Sequence, residues 1–233
     1  SWQNLLVMVV MALVVCALGN SDRTFHFRMR MEECMVKGNF AEATQVGVKE
    51  AATDSSLTML RVWALSENHM LGDRLFSYPL VGGSDAMLPN GASVKLMMAD
   101  ERKLYAHLGV VFIQKMRPRV YLETLHKAHR ATAAAHDWLL CAYLLDRDLN
   151  QFVRHLAKYY PINEQLPKHY KEALIIYKHT TSHPLISYYN NVKEADYDDF
   201  QDLGDKYGNK RERYTALRDK YGDTYWFYYH YKR

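Results

Sequence analysis

Short alternating runs of β-branched residues are nearly absent from this sequence, and their absence argues against a sheet. Glycine and proline are sparse as well, at 11 and 6 residues, and fall mostly between periodic segments. That is how a mostly helical chain is punctuated. The 3 cysteines, Cys16, Cys34 and Cys141, are scattered. With no CxxC and no dense spacing, they define neither a disulfide framework nor a redox compartment. Charge is nearly balanced, at +4 with a pI near 8.8, too mild to imply a nucleic-acid partner. Nucleophile-elbow and redox motifs are missing. Gly82-Gly83-Ser84 is not a phosphate loop, because no Gly-Lys-Ser/Thr follows. No cofactor is expected, and no reaction can be read; the expectation leans away from an enzyme.

What the chain does have is an uncharged stretch from Ser1 to Ser21 with an unbroken apolar run, Leu5 to Leu18. A spanning helix needs roughly 17–25 mostly apolar residues. Trp2 to Gly19 just meets that, with Trp2 where an interfacial anchor would sit and Arg23, Arg28 and Arg30 on the other flank. Residues 1–21 are therefore expected to form a transmembrane helix, with the lipid bilayer as a partner. A secretory signal competes, since Ala17-Leu18-Gly19 is a fair cleavage site, but a basic leader is missing. A lipoprotein signal at Cys16 is disfavoured by bulky Val15, and a buried core helix is the remaining reading. The first residue is Ser, so the segment reads as the last span of a longer membrane protein. The basic flank hints at a cytoplasmic tail.

The remaining chain predicts helices near 22–37, 40–52, 56–69, 100–115, 119–131, 134–146, 149–159, 166–179, 192–201, 209–220 and 223–230. Asn39 with Glu42, Asp148 with Gln151, and Asn209 with Glu212 have capping-box spacing. Leu104, Leu108, Val111 and Phe112 recur on one face after Asp100. Pro118 and Pro167 suit first turns. The irregular stretch Ser77–Ser93 reads as a surface crossover between two helical layers in preference to a functional loop.

Helices of this length joined by short turns fit a solenoid of helix pairs. Gly38-Asn39-Phe40-x-x-Ala43 resembles the tetratricopeptide turn between its two helices. Tyr105-x-x-Leu108-Gly109-x-x-Phe112 resembles that family's first helix, with Gly109 letting a neighbour approach. Trp138-x-x-Cys141-Ala142-x-x-Leu145 is a weaker match, and Tyr121 stands where a small residue would be expected. A second resemblance rests on three blocks: Leu71 with Asp73–Pro79, Leu166–Leu174, and Tyr221–Tyr229. They resemble the C-terminal part of an uncharacterised Bacteroidales family of multi-span membrane proteins with a helical-repeat tail. The resemblance implies a bacterial inner-membrane location and gives no activity.

Of 18 tyrosines, 14 lie at or after Tyr159. Asp-Lys-Tyr-Gly occurs at 205–208 and 219–222, and Gly208 and Gly222 fit positions past helix ends that need φ > 0. Asn209 and Asp223 would cap the next helices. The last helix carries Tyr225, Trp226, Phe227, Tyr228 and Tyr229. It either packs back as a cap or touches a partner, and these five are the partner-binding candidates. The acidic run 193–205 lacks the glycine and terminal Glu of a calcium loop. For chemistry, only His126, His129 and His136 beside Asp137 form a cluster. Imidazoles in that spacing are weak candidates for zinc, because HxxH lacks the acid of HExxH.

The expected fold is all-α: residues 1–21 as a transmembrane helix, 22–191 as a tetratricopeptide-like array of antiparallel helix pairs, and 192–233 as an aromatic helical cap. The expected function is a membrane-anchored protein-interaction scaffold with a protein partner. The competing expectation is the tail of a larger membrane enzyme or transporter whose active site lies upstream.

Overall fold

The computed structural model describes residues 2–18, 22–48, 50–110 and 116–231. Among them the chain is helical throughout and has no strand. The helices are α1 (Trp2–Leu18), α2 (Arg23–Val36), α3 (Phe40–Ala43), α4 (Ser55–Glu67), α5 (Leu71–Arg74), α6 (Glu101–Leu108), α7 (Pro118–Lys127), α8 (Ala133–Leu145), α9 (Leu149–Tyr159), α10 (Lys168–Thr180), α11 (Asn191–Asp205), α12 (Lys210–Tyr221) and α13 (Tyr225–Tyr231). Short 3-10 turns lie at Leu75–Ser77 and Gly83–Ala86.

Local chemistry sets most helix starts. Asp54 accepts from the Leu57 N–H at 2.6 Å, Thr132 from Ala135 at 3.2 Å, and Asp148 from Gln151 at 3.1 Å. Each satisfies one of the orphan donors of a first turn. Helix ends share a second device. Gly38, His69, His129 and Arg147 all adopt left-handed φ, at 79°, 54°, 54° and 58°. The next N–H reaches back to the carbonyl five residues earlier, as in Asn39 to Cys34 (2.8 Å), Met70 to Leu65 (2.9 Å) and Asp148 to Tyr143 (2.8 Å). This closure folds α3 onto α2 and α9 onto α8.

Only one of those four positions is glycine. Left-handed backbone costs an L-residue about 1 kcal/mol. His69 is exposed. His69→Gly is therefore expected to stabilise by roughly 0.5–1 kcal/mol and raise Tm by about 1–4 °C. An unchanged or lower melting temperature would remove the strain account.

α8 is apolar on every side, which places it at the centre. Trp138 to Leu144 are buried without a break, and α4, α5, α6, α7 and α9 surround it.

Several expectations need correction. The transmembrane helix is not supported: among the described residues no helix is long and apolar enough to cross a membrane. α1 has 17 residues. Gly19 and the side chain of Cys16 lie outside the described residues. The helix predicted over 100–115 stops at Leu108, because Gly109 takes φ 132°. Val111 and Phe112 lie outside the described residues. Asn39 makes no side-chain capping bond, and Glu42, its expected box partner, is engaged by Arg30 instead. Gly222 has φ −62°; its small size matters instead, because a Cβ would come 2.3 Å from the Arg218 carbonyl oxygen. The cap of α13 is Thr224, whose Oγ1 accepts from the Phe227 N–H at 3.2 Å, and not Asp223.

The stretch 77–93 is a surface crossover only in part: Val81, Gly82, Asp85 and residues 90–93 are exposed, and the rest turns inward. Leu80, Ala86, Met87 and Leu88 are buried in the core. Three distant side chains hold it and the residues that follow. Buried Arg61 donates from Nη1 to the Pro79 carbonyl and to Thr53 Oγ1. Asp146 accepts from the backbone and hydroxyl of Ser84. Fully buried Glu32 accepts from the N–H groups of Met97, Met98 and Ala99 at 2.6–3.0 Å. Burial without a carboxylate partner pushes the Arg61 guanidinium down to about 10.

Candidate ligand pocket

The largest cavity lies between α7, α8 and α9, with a volume of about 730 Å³. The fold brings two of the predicted histidines together here. The rings of His126 and His136 stand 5.2 Å apart, and His136 stacks on Tyr159 at 4.0 Å. His129 sits exposed on the left-handed turn at the end of α7, at the rim. The sequence reading missed His155, which enters from α9. No local signal marks it: its partners in the pocket lie a helix away.

The tautomers follow from the backbone. His126 Nδ1 is 2.7 Å from the Leu122 carbonyl and His155 Nδ1 is 2.9 Å from the Gln151 carbonyl. A carbonyl only accepts, so each Nδ1 carries a proton, and Nε2 is the position that holds the lone pair in the neutral ring. His126 Nε2 is buried and has no hydrogen-bond partner. Burial holds both His126 and His136 below the ordinary histidine value. Lys127 and Lys158 flank the opening, and Glu123 on the wall accepts from Arg119 and from the Tyr143 hydroxyl. Among the described residues no group of three or more His, Cys, Asp or Glu side chains could hold a metal ion.

The aromatic tail lies elsewhere. Tyr225, Trp226, Phe227 and Tyr228 are buried within the chain, and Tyr229 is half-buried. The Tyr225 and Tyr228 hydroxyls donate to the Leu144 and Leu145 carbonyls at 3.0 and 2.9 Å. At the end of α8 Tyr228 thus serves the Leu145 carbonyl, and Tyr225 adds a second donor to the Leu144 carbonyl, which also accepts from the Arg147 N–H at 3.0 Å. In this conformation those four rings are spent on the chain's own core.

The three sequence blocks meet at one buried junction beneath α13. Asp73 accepts from the Lys168 N–H at 2.7 Å and so caps α10. The Phe76 N–H donates to His169 Nε2 at 3.3 Å, and His169 Nδ1 donates to Glu172 Oε2 at 2.9 Å. Glu172 Oε2 also accepts from the Tyr225 N–H at 2.8 Å, at the first residue of α13. His169 and Glu172 are fully buried. The Lys168 ammonium closes the group on Asp223 at 2.7 Å.

A Ser–His–Glu relay also exists. Ser66 Oγ is 2.8 Å from His107 Nε2, and His107 Nδ1 is 3.4 Å from Glu67 Oε1. The order matches that of a nucleophile, base and orienting acid. Ser66 is only 4% exposed, at the end of α4. A substrate carbonyl cannot reach its oxygen, so the relay serves as an internal hydrogen-bond chain.

A family model described as a family of unknown function, DUF6057, matches residues 98–232. The chain belongs to this family. No curated protein and no solved structure matches it.

Proposed function

We propose that this chain is a non-catalytic, tetratricopeptide-like interaction module of a bacterial inner-membrane assembly, joined to a protein partner through α1. The surface of α1 carries this reading. Its large hydrophobic side chains are exposed, from 47% at Val14 to 80% at Trp2. Contiguous apolar surface of that kind marks a contact. Because α1 is apolar all round, its surroundings must be apolar all round. The helices of a multi-span membrane protein, such as the three blocks resemble, supply that without α1 crossing the bilayer by itself.

Fractionation of cells making the full native chain tests this. The protein is expected to sediment with the inner membrane and to be released by mild detergent together with its partner. Val7→Lys combined with Val10→Lys is expected to move most of it to the soluble fraction with its helical circular dichroism intact. A native protein found soluble and alone overturns the proposal.

A further inference from the structure

We propose that the pocket between α7, α8 and α9 binds a small aromatic acid, a planar ring bearing an anionic group. Such a site goes beyond the interaction-module reading and does not depend on α1. Two ammoniums flank the opening, Lys127 at the end of α7 and Lys158 near the end of α9. Both are exposed, and among the described residues neither has a carboxylate within ion-pair distance. The nearby acids are committed elsewhere. Glu123 on the wall pairs with Arg119 at 3.2 Å and accepts from the Tyr143 hydroxyl at 3.2 Å. Asp137, next to His136 in the chain, accepts from the Tyr160 and Tyr170 hydroxyls at 2.7 and 2.8 Å. The cavity therefore carries two positive charges without an uncommitted counter-charge.

The walls are built of rings. Tyr159 stacks on His136 at 4.0 Å and stands 5.5 Å from His126, and Tyr143 stands 5.1 Å from His155. Leu139 and Ala131 add apolar surface. Walls of this kind receive an aromatic ring by offset stacking or edge contact. At about 730 Å³ the cavity has the size of a small-molecule site, and an inorganic anion would leave most of it and all of its rings unused.

A ligand cation would be repelled by the two ammoniums, and a neutral ring would leave them unanswered. A ring with an anionic group answers both features of the cavity. Burial first, and then repulsion from His136, His155 and Lys158, disfavours a proton on His126, which is the sign a positive field gives. Sulfonate, carboxylate and phosphate groups share the required chemistry. A lysine ammonium acts as a point charge and reads their charge more than their shape.

Isothermal titration of the full chain near neutral pH and at low salt tests this with benzenesulfonate, whose charge is fixed. Its Kd is expected at about 1 mM or below, weakening severalfold as salt rises to about 0.3 M. Benzoate is expected within about fivefold of it. Benzyl alcohol, the ring without the charge, and methanesulfonate, the charge without the ring, are each expected to bind at least about tenfold more weakly. Lys127→Ala combined with Lys158→Ala, both at the surface, is expected to cost benzenesulfonate about tenfold with circular dichroism unchanged. Tyr159→Leu is expected to narrow the gap between benzenesulfonate and methanesulfonate to about threefold or less. Uptake on the apolar surface of α1 would favour benzyl alcohol and ignore the lysines. Benzyl alcohol binding as tightly as the sulfonate, an affinity untouched by the lysine pair, or no saturable binding of benzenesulfonate each overturns the proposal.

Discussion

Glu172→Ala is expected to cost about 3–5 kcal/mol and to lower Tm by on the order of 10 °C. The carboxylate is fully buried and holds two donors on one oxygen, the His169 ring and the first N–H of α13. Hydrogen bonds to a charged group are worth about 1.5–3 kcal/mol each, and here removal also leaves both donors buried and unpaired. The negative charge sits at the positive end of α13 as well. The loss is expected to be local first: α13 undocks, the amides of 225–231 lose exchange protection, and Trp226 emission shifts red. Glu172→Gln separates the contributions. An amide oxygen at the Oε2 position still accepts from both donors, while the amide nitrogen takes the Oε1 position, 3.9 Å from the Lys168 ammonium and without a hydrogen-bond partner. That variant is expected to lose the charge and to bury an unpaired amide donor, about 1–3 kcal/mol and less than Ala. Equal effects from Ala and Gln would show that packing, and not the shared acceptor, holds the helix down.

Gly109→Ala is expected to destabilise by roughly 2–6 kcal/mol, as strain and overpacking add. Its φ of 132° is hostile to any side chain, and a Cβ would stand 2.1 Å from the Arg130 carbonyl oxygen. The neighbouring segment cannot simply withdraw. Thr132 donates its N–H to the Leu108 carbonyl at 3.2 Å and its hydroxyl to the His107 carbonyl at 2.7 Å, while capping α8. Moving Arg130 therefore loosens the central helix. Gly38→Ala is the control: it is left-handed too, but nothing lies within 4 Å of its added Cβ. It is expected to cost only the conformational strain, about 1 kcal/mol. Thermal unfolding of the two variants compares them directly, and similar losses would mean that the close approach at Arg130 carries no energy.

Gly109 also shows how far the sequence could be read. Its smallness indicated a close neighbour, and the structure supplies one. The neighbour is the backbone before α8, and the same glycine ends α6 where periodicity predicted several more turns. The histidine cluster was half legible. His126 and His136 lie ten positions apart on adjoining helices, close enough in sequence to be noticed. His155 completes the pocket from α9 and could not be noticed that way. The three blocks around Phe76, Glu172 and Tyr225 stood out as words, without any sign that they touch. Nothing in the sequence set Glu172 apart from other charges; burial makes it the acceptor on which α13 rests.

The sequence by itself determined the class of secondary structure and most helix limits. Those depend on contacts within about four residues: a side-chain oxygen at the cap, an apolar face repeating every third or fourth position, a left-handed residue at the end. Only the tertiary structure decided which helix is central, that part of 77–93 is buried in the core, and where the pocket opens. It also decided that Tyr225 to Tyr228 are buried and that, among the described residues, no helix is long and apolar enough to cross a membrane. The bonds that settle these matters join residues far apart in the chain, 93 positions between Phe76 and His169 and 53 between Glu172 and Tyr225. A pattern read along the chain records which residues seek burial or a partner. Which partner each one finds is fixed only when distant helices close on one another and exclude water.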